Sequence, residues 1–129
     1  MNPRSLERRL RHRPAWAWLF FAHLALVILA SVLATTGHLP ITFFRSPVDK
    51  LGHLLAYGTL SFLAVSFFGH RRRWRVVAVL LVAATIDELS QRAFATRTFD
   101  LGDLAMNTLG ITIFGSAAAR LAGGHATKG

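Results

Sequence analysis

The chain has 129 residues, no cysteine, a formal net charge of +9 and a hydrophobic content of 53%. Disulfide and thiolate chemistry are therefore excluded, and the length allows one domain. So high an apolar content in so short a chain fits a membrane-embedded protein rather than a soluble one. The basic excess lies in short segments beside apolar runs, which argues against a nucleic-acid surface.

Residues 1–15 read as a basic cytoplasmic arm with Arg4, Arg8, Arg9, Arg11 and Arg13. Residues 16–36 are apolar or small except for His23, long enough to cross about 30 Å of hydrocarbon at about 1.5 Å per residue. A cleaved signal sequence would have a shorter core, roughly 7–15 residues, so this segment reads as a retained span. Residues 37–48 form an external loop punctuated by Gly37, Pro40 and Pro47. Ser46-Pro47-Val48-Asp49 has the form of a helix start, with Ser at the N-cap, Pro in the first turn and an acid after it. A second span follows over 51–69, a tight basic turn over 70–75, and a third span over 74–92. A short connection over 93–99 leads to a fourth span over 101–123, whose start Asp100 or Asp103 can cap. Residues 124–129 form a tail. Small residues between Gly115 and Ala119 allow close helix packing.

The expected fold class is an all-α integral membrane protein, a four-transmembrane-helix bundle over 16–123. Of the 15 Lys and Arg residues, all but Arg45, Lys50, Arg92 and Arg97 fall on the side of the two termini and the 70–75 turn. Basic short segments stay in the cytoplasm, so both termini are expected inside and the chain in the inner or plasma membrane. Trp16, Trp18 and Trp74 mark the inner interface, where indole favours the headgroup level. Asp49, Asp87, Glu88, Asp100 and Asp103 then collect at the outer face, and Glu7 lies elsewhere.

Residues three or four apart share a helix face. Asp49, His53 and Tyr57 form one such stripe on the second span. Thr85, Glu88, Gln91 and Arg92 form another on the third, and Asp100, Asp103 and Asn107 a third on the fourth. Polar stripes are costly against lipid and are expected to face one another. The product is a small polar cavity open to the outer leaflet. His23 has no such company and is expected to bond across helices.

The stretches DKLGHLLAYGTL (49–60) and IDELSQRAFATRTFDLGDLAMNTLG (86–110) resemble the VanZ-like membrane proteins over about half the chain, 49–115. The matching positions are Asp49, Lys50, His53, Tyr57, Glu88, Gln91, Arg97, Asp103, Asn107 and Gly110. Ala95-Thr96 stands where many relatives carry a Pro-containing turn. The resemblance implies a multi-span envelope protein related to one linked to teicoplanin-type glycopeptide resistance, and it implies no particular reaction.

The leading reading is an outward-facing site that binds or modifies an anionic envelope lipid or lipid-linked cell-wall precursor. Lys50, Arg92 and Arg97 would meet the anionic head. Glu88, His53 and Asp103 would carry acid–base steps, with Asp49, Tyr57, Gln91, Asp100 and Asn107 lining the substrate. Enzyme and binder are not separated by these residues. A metal set of His53, Glu88, Asp100 and Asp103 satisfies ligand type but lacks a tight ligand spacing, so no metal and no cofactor is expected. There is no phosphate-binding Gly-rich loop and no nucleophile elbow. The expected partners are membrane lipids, with no nucleic acid. The alternatives are a proton- or ion-coupled transporter using the acid–His cluster as a relay, and a structural subunit of a membrane complex.

Overall fold

A computed structural model describes residues 3–94 and 99–124. All regular structure among them is helical: α1 (Pro3–Thr35), α2 (Val48–Phe68), α3 (Arg73–Ser90) and α4 (Leu101–Gly124), with 3₁₀ turns at Ile41–Phe44, His70–Arg72 and Gln91–Ala93. Two segments have the length and composition of a membrane span: Pro14–Thr35, with mean hydropathy 2.3, and Val48–Phe68, with 1.5. α1 runs unbroken through Pro14, so the basic arm is continuous with the first apolar helix.

The helix ends follow local chemistry. At the end of α1, Gly37 takes φ 75°, the left-handed conformation that a Schellman closure requires. His38 N–H donates to Leu33 O at 2.9 Å and Gly37 N–H to Ala34 O at 3.3 Å. α2 does not begin as its sequence suggests. Pro47 occupies the N-cap position without a side-chain cap, so Ser46 does not cap the helix, and the first turn is anchored instead by Asp49 N–H on Arg45 O and Leu51 N–H on Pro47 O. α4 does start as expected, with Asp100 Oδ1 accepting the Gly102 N–H at 2.6 Å.

The tightest seam lies between α2 and α4. Gly110 sits against the Leu54 carbonyl so closely that a Cβ there would collide with the oxygen. One turn away, Gly58 leaves room for the Phe114 ring, and Gly115 faces Ser61. Ser61 Oγ donates to Ile111 O at 2.8 Å across this seam. The apolar core around it gathers Tyr57, Leu60, Ala64, Val77, Leu80, Ala84 and Ile111. α1 packs more loosely, through Phe20 on Phe67 and Phe68 and through His23 Nε2 bonded to Ala56 O at 2.9 Å. The outer faces stay apolar on every helix, as at Trp18, Leu51, Val79, Ile86, Leu109 and Leu121. The fully buried polar residues include Glu88, Gln91, Asp103 and Asn107, an arrangement suited to an apolar surrounding.

Gly110→Ala is expected to lower stability by about 1–3 kcal/mol, because backbone is the obstacle. Gly123→Ala meets nothing within 4 Å and is expected to be neutral or slightly stabilising through helix propensity. Thermal unfolding of the two variants in one detergent compares them.

Candidate functional site

The Gly110 contact brings the first two turns of α2 and α4 within side-chain reach. Lys50 Nζ donates to Asp100 Oδ2 at 3.0 Å and to Asp103 Oδ1 at 3.2 Å. One turn on, His53 Nδ1 meets Asn107 Oδ1 at 3.0 Å. The other ring nitrogen, Nε2, stands 3.8 Å from Asp49 Oδ1 and 3.6 Å from Asp103 Oδ2. Two stripes that share no chain segment thus interlock as pairs, Lys50 with Asp103 and His53 with Asn107. Asp49, His53 and Asp103 each offer one ligand atom, all within 4.8 Å of one another.

The end of α3 holds this seam from a third side. Glu88 is fully buried and accepts the Asp100 backbone N–H at 3.0 Å through Oε1. Gln91 Nε2 donates to its other oxygen at 3.3 Å. A carboxylate at the start of α4 suits the helix dipole. Its neighbour Asp87, turned by about 100° on the helix, serves the opposite side. It accepts from Tyr57 OH at 3.0 Å and from Ser31 Oγ at 2.7 Å, tying α3 to α2 and α1. Two adjacent acids therefore bond to different helices.

A cavity of about 450 Å³ opens beside this network, lined by α1, α2, α3 and the loop between α1 and α2. Its walls are mostly apolar, with Val27, Ala30, Ala34, Leu39 and Phe43 opposite Leu51 and Leu55. Its polar members are Ser31, Asp49, His53, Tyr57 and Asp87. A mostly apolar cleft of this size with a few convergent polar groups has the form of a small-molecule or lipid-chain site.

The structure brings together Asp49, Lys50, His53, Asp100, Asp103 and Asn107, with Glu88 and Gln91 behind them. Tyr57 lies on the cavity wall and points its hydroxyl to Asp87. Arg92 is exposed, its guanidinium 4.3 Å from the centre of the Phe99 ring. Arg97 and the Ala95-Thr96 pair lie outside the described residues. Sequence reasoning left Asp87 and Ser31 out of the site. The available signal was Asp87 as a second acid beside Glu88 and Ser31 as a lone hydroxyl in an apolar helix.

The Lys50 ammonium, followed by the Gly102 amide, holds the Asp100 carboxyl below its usual value of 3.8. A lowered carboxylate contributes stability above its unfolded-state value and loses it as pH falls through the folded one. Asp100 is half-exposed, so solvent screens the pair and its contribution is small. Asp100→Asn keeps a capping side chain and removes the charge. It is expected to lower the melting temperature slightly and uniformly from about pH 5 to pH 8. The difference from the unsubstituted protein should close as pH drops below about 3.8. Melting curves across that range measure it.

A family model described as VanZ/LLP1 matches residues 6–122. No curated protein and no solved structure gives a significant match.

Proposed function

The chain belongs to the VanZ/LLP1 family, and from that premise we propose that it binds an anionic, amphipathic envelope lipid or lipid-linked cell-wall precursor at an outward-facing site. The observation that carries this reading is the cavity, whose apolar walls of Val27, Ala30 and Ala34 run to a polar margin at Asp49 and His53. The lipid chain occupies the apolar part and the head meets the α2–α4 seam. Lys50 reaches the head from its place between Asp100 and Asp103, and Arg92 offers a second cation at the end of α3; Arg97, which the sequence also assigns to the head, lies outside the described residues. Glu88, His53 and Asp103 carry any proton transfer, with Gln91 and Asn107 orienting them. A role in glycopeptide resistance would follow from control of the lipid pool that such antibiotics meet.

In this reading all four helices span the plasma membrane, with both termini inside. The apolar outer faces of α3 and α4, at Val79, Ile86, Leu109 and Leu121, support four spans, and the distribution of Arg and Lys supports the orientation. The natural absence of cysteine makes the topology simple to test. A single cysteine at His38 is expected to react with a membrane-impermeant maleimide in intact cells, and one at Arg71 only after permeabilisation. The reverse pattern would remove the outward-facing site.

Native mass spectrometry of the detergent-purified protein tests the ligand. The unsubstituted protein is expected to retain a phosphate-bearing lipid. Ala30→Phe, which fills the cavity, should cut its occupancy several-fold, and Arg97→Ala should weaken it. Greater occupancy in Glu88→Gln would mark turnover, and equal occupancy a binder. Absence of lipid from every form, together with proton flux into liposomes that Glu88→Gln abolishes, would favour a transporter instead.

A further inference from the structure

We propose that the end of the protein opposite the α2–α4 polar seam binds the phosphate headgroups of anionic phospholipids, through an arginine patch at the α2–α3 turn. This surface is distinct from the lipid cavity, and it rests on the membrane reading only in taking the helices to stand in a bilayer.

Packing along the α2–α4 seam gathers the basic residues at one end. The two helices run in the same direction, with Gly110 at Leu54, Gly115 at Ser61 and then Ala118 and Ala119 packed with Val65 and Val76. Arg120 follows at once and is exposed, so it stands at the end where Gly69 leads the chain toward α3. The turn there carries Arg71, Arg72, Arg73 and Arg75, of which Arg71, Arg72 and Arg75 are exposed. Phe20, against Phe67 and Phe68, brings α1 to the same end. From there α1 extends toward its N-terminus through Arg13, Arg11, Arg9, Arg8 and Arg4.

This charge is not neutralised from within. The acids Asp49, Asp87, Glu88, Asp100 and Asp103 lie at the starts of α2 and α4 or the end of α3, all at the other end. Every ion pair among the described residues involves Lys50 or His53, and none reaches an arginine of the patch. Glu7 stands among the arginines of the arm. The patch does not stabilise its own helix either. Basic side chains at a helix N-terminus oppose the macrodipole, and α3 has no acid in its first turn and no side-chain cap. An anion from outside relieves the repulsion among the arginines.

What lies beside the arginines selects a lipid surface over a soluble anion. Trp74, within the run, is 64% exposed, and the Arg73 guanidinium stands 5.2 Å from its ring centre. Trp18 is exposed on α1. Indole rings settle at the headgroup level, and an arginine beside one is held where phosphates lie. Val79 and Val82 are exposed on α3, so apolar surface begins about one turn beyond Arg75. A phosphodiester with acyl chains matches both surfaces, its phosphate on guanidinium in bidentate fashion and its chains along α3. Free phosphate or a nucleic acid would leave the tryptophan and the valines uncovered.

The test uses the full chain purified in detergent and carrying Ala30→Phe, which fills the cavity, so that lipid held there does not contribute. Phosphatidylglycerol and phosphatidylcholine with identical chains compete, and native mass spectrometry counts which is retained. Phosphatidylglycerol is expected to be preferred. Arg71→Gln, Arg72→Gln and Arg75→Gln together should erode that preference by about fivefold for each arginine removed. The triple variant should melt no lower than its parent, since these charges oppose the helix dipole, so loss of lipid is not loss of fold. A second measurement leaves the cavity intact. With Trp16→Phe and Trp18→Phe in place, phosphatidylglycerol brominated on its chains should quench Trp74 fluorescence more than brominated phosphatidylcholine, and neutralising the arginines should abolish the difference. Equal retention of the two lipids, a preference unchanged in the triple variant, or displacement of the lipid by inorganic phosphate alone would overturn the proposal. A preference that persists with the cavity filled upholds it even where the cavity proves to hold no lipid, so the two readings fail separately.

Discussion

The close approach of α2 and α4 at Gly110 and the Leu54 carbonyl governs what the rest of the structure can do. Side chains as short as Asp, Asn and His span only a few ångströms, so their pairing across two helices requires backbones in near contact. A Cβ at Gly110 would separate the helices just below the level where His53 meets Asn107 and Lys50 meets Asp103. The apolar seam of Gly58, Phe114, Ser61 and Gly115 continues that contact downward. The polar seam above it is therefore a product of the packing below. Small residues have the same effect wherever helices must approach without a hydrophobic drive between them.

The end of α3 distributes this arrangement to the other helices. Glu88 and Asp87 are adjacent, and the helical turn sends one to the amide of Asp100 and the other to Tyr57 and Ser31. A single short segment thereby fixes the start of α4 and tethers α1. Carboxylates taken out of water are costly unless hydrogen-bonded, and both the fully buried Glu88 and the half-buried Asp87 are bonded. The price of burying them is met by bonds that also set the positions of three neighbouring elements.

Much of this was legible in the sequence. The spacing of Asp49, His53 and Tyr57, and of Asp100, Asp103 and Asn107, places each set on one face, and the rule that polar faces avoid lipid predicts their meeting. The interhelical bond of His23 and the cap at Asp100 follow from equally local reasoning. Other features depend on shape. The start of α2 departs from its sequence signature because Pro47, rather than Ser46, takes the cap position. The partners of Asp87 were hidden because Ser31 lies 56 residues away in the chain and on a helix with no other polar stripe. The cavity has no motif at all. It exists because Ala30, Ala34, Gly52 and Ala56 leave space where α1 and α2 would otherwise close. The approach of Asp103 on α4 to His53 on α2 also required knowing how closely the two helices meet.

The unequal hydropathy of the helices has a consequence for how the chain is made. α1 leaves the ribosome ahead of α2, α3 and α4, and its apolar segment has a mean hydropathy of 2.3, with 11% of it buried inside the protein. It can partition into a bilayer alone, with almost its whole surface suited to lipid. α4 emerges last and carries Asp103 and Asn107, which are satisfied only against Lys50 and His53 of α2. In the four-span reading proposed above, its insertion is thus assisted by a helix already in place. In that reading the order of synthesis supplies a self-sufficient segment before a dependent one, so the polar groups of α4 need not face hydrocarbon without a partner.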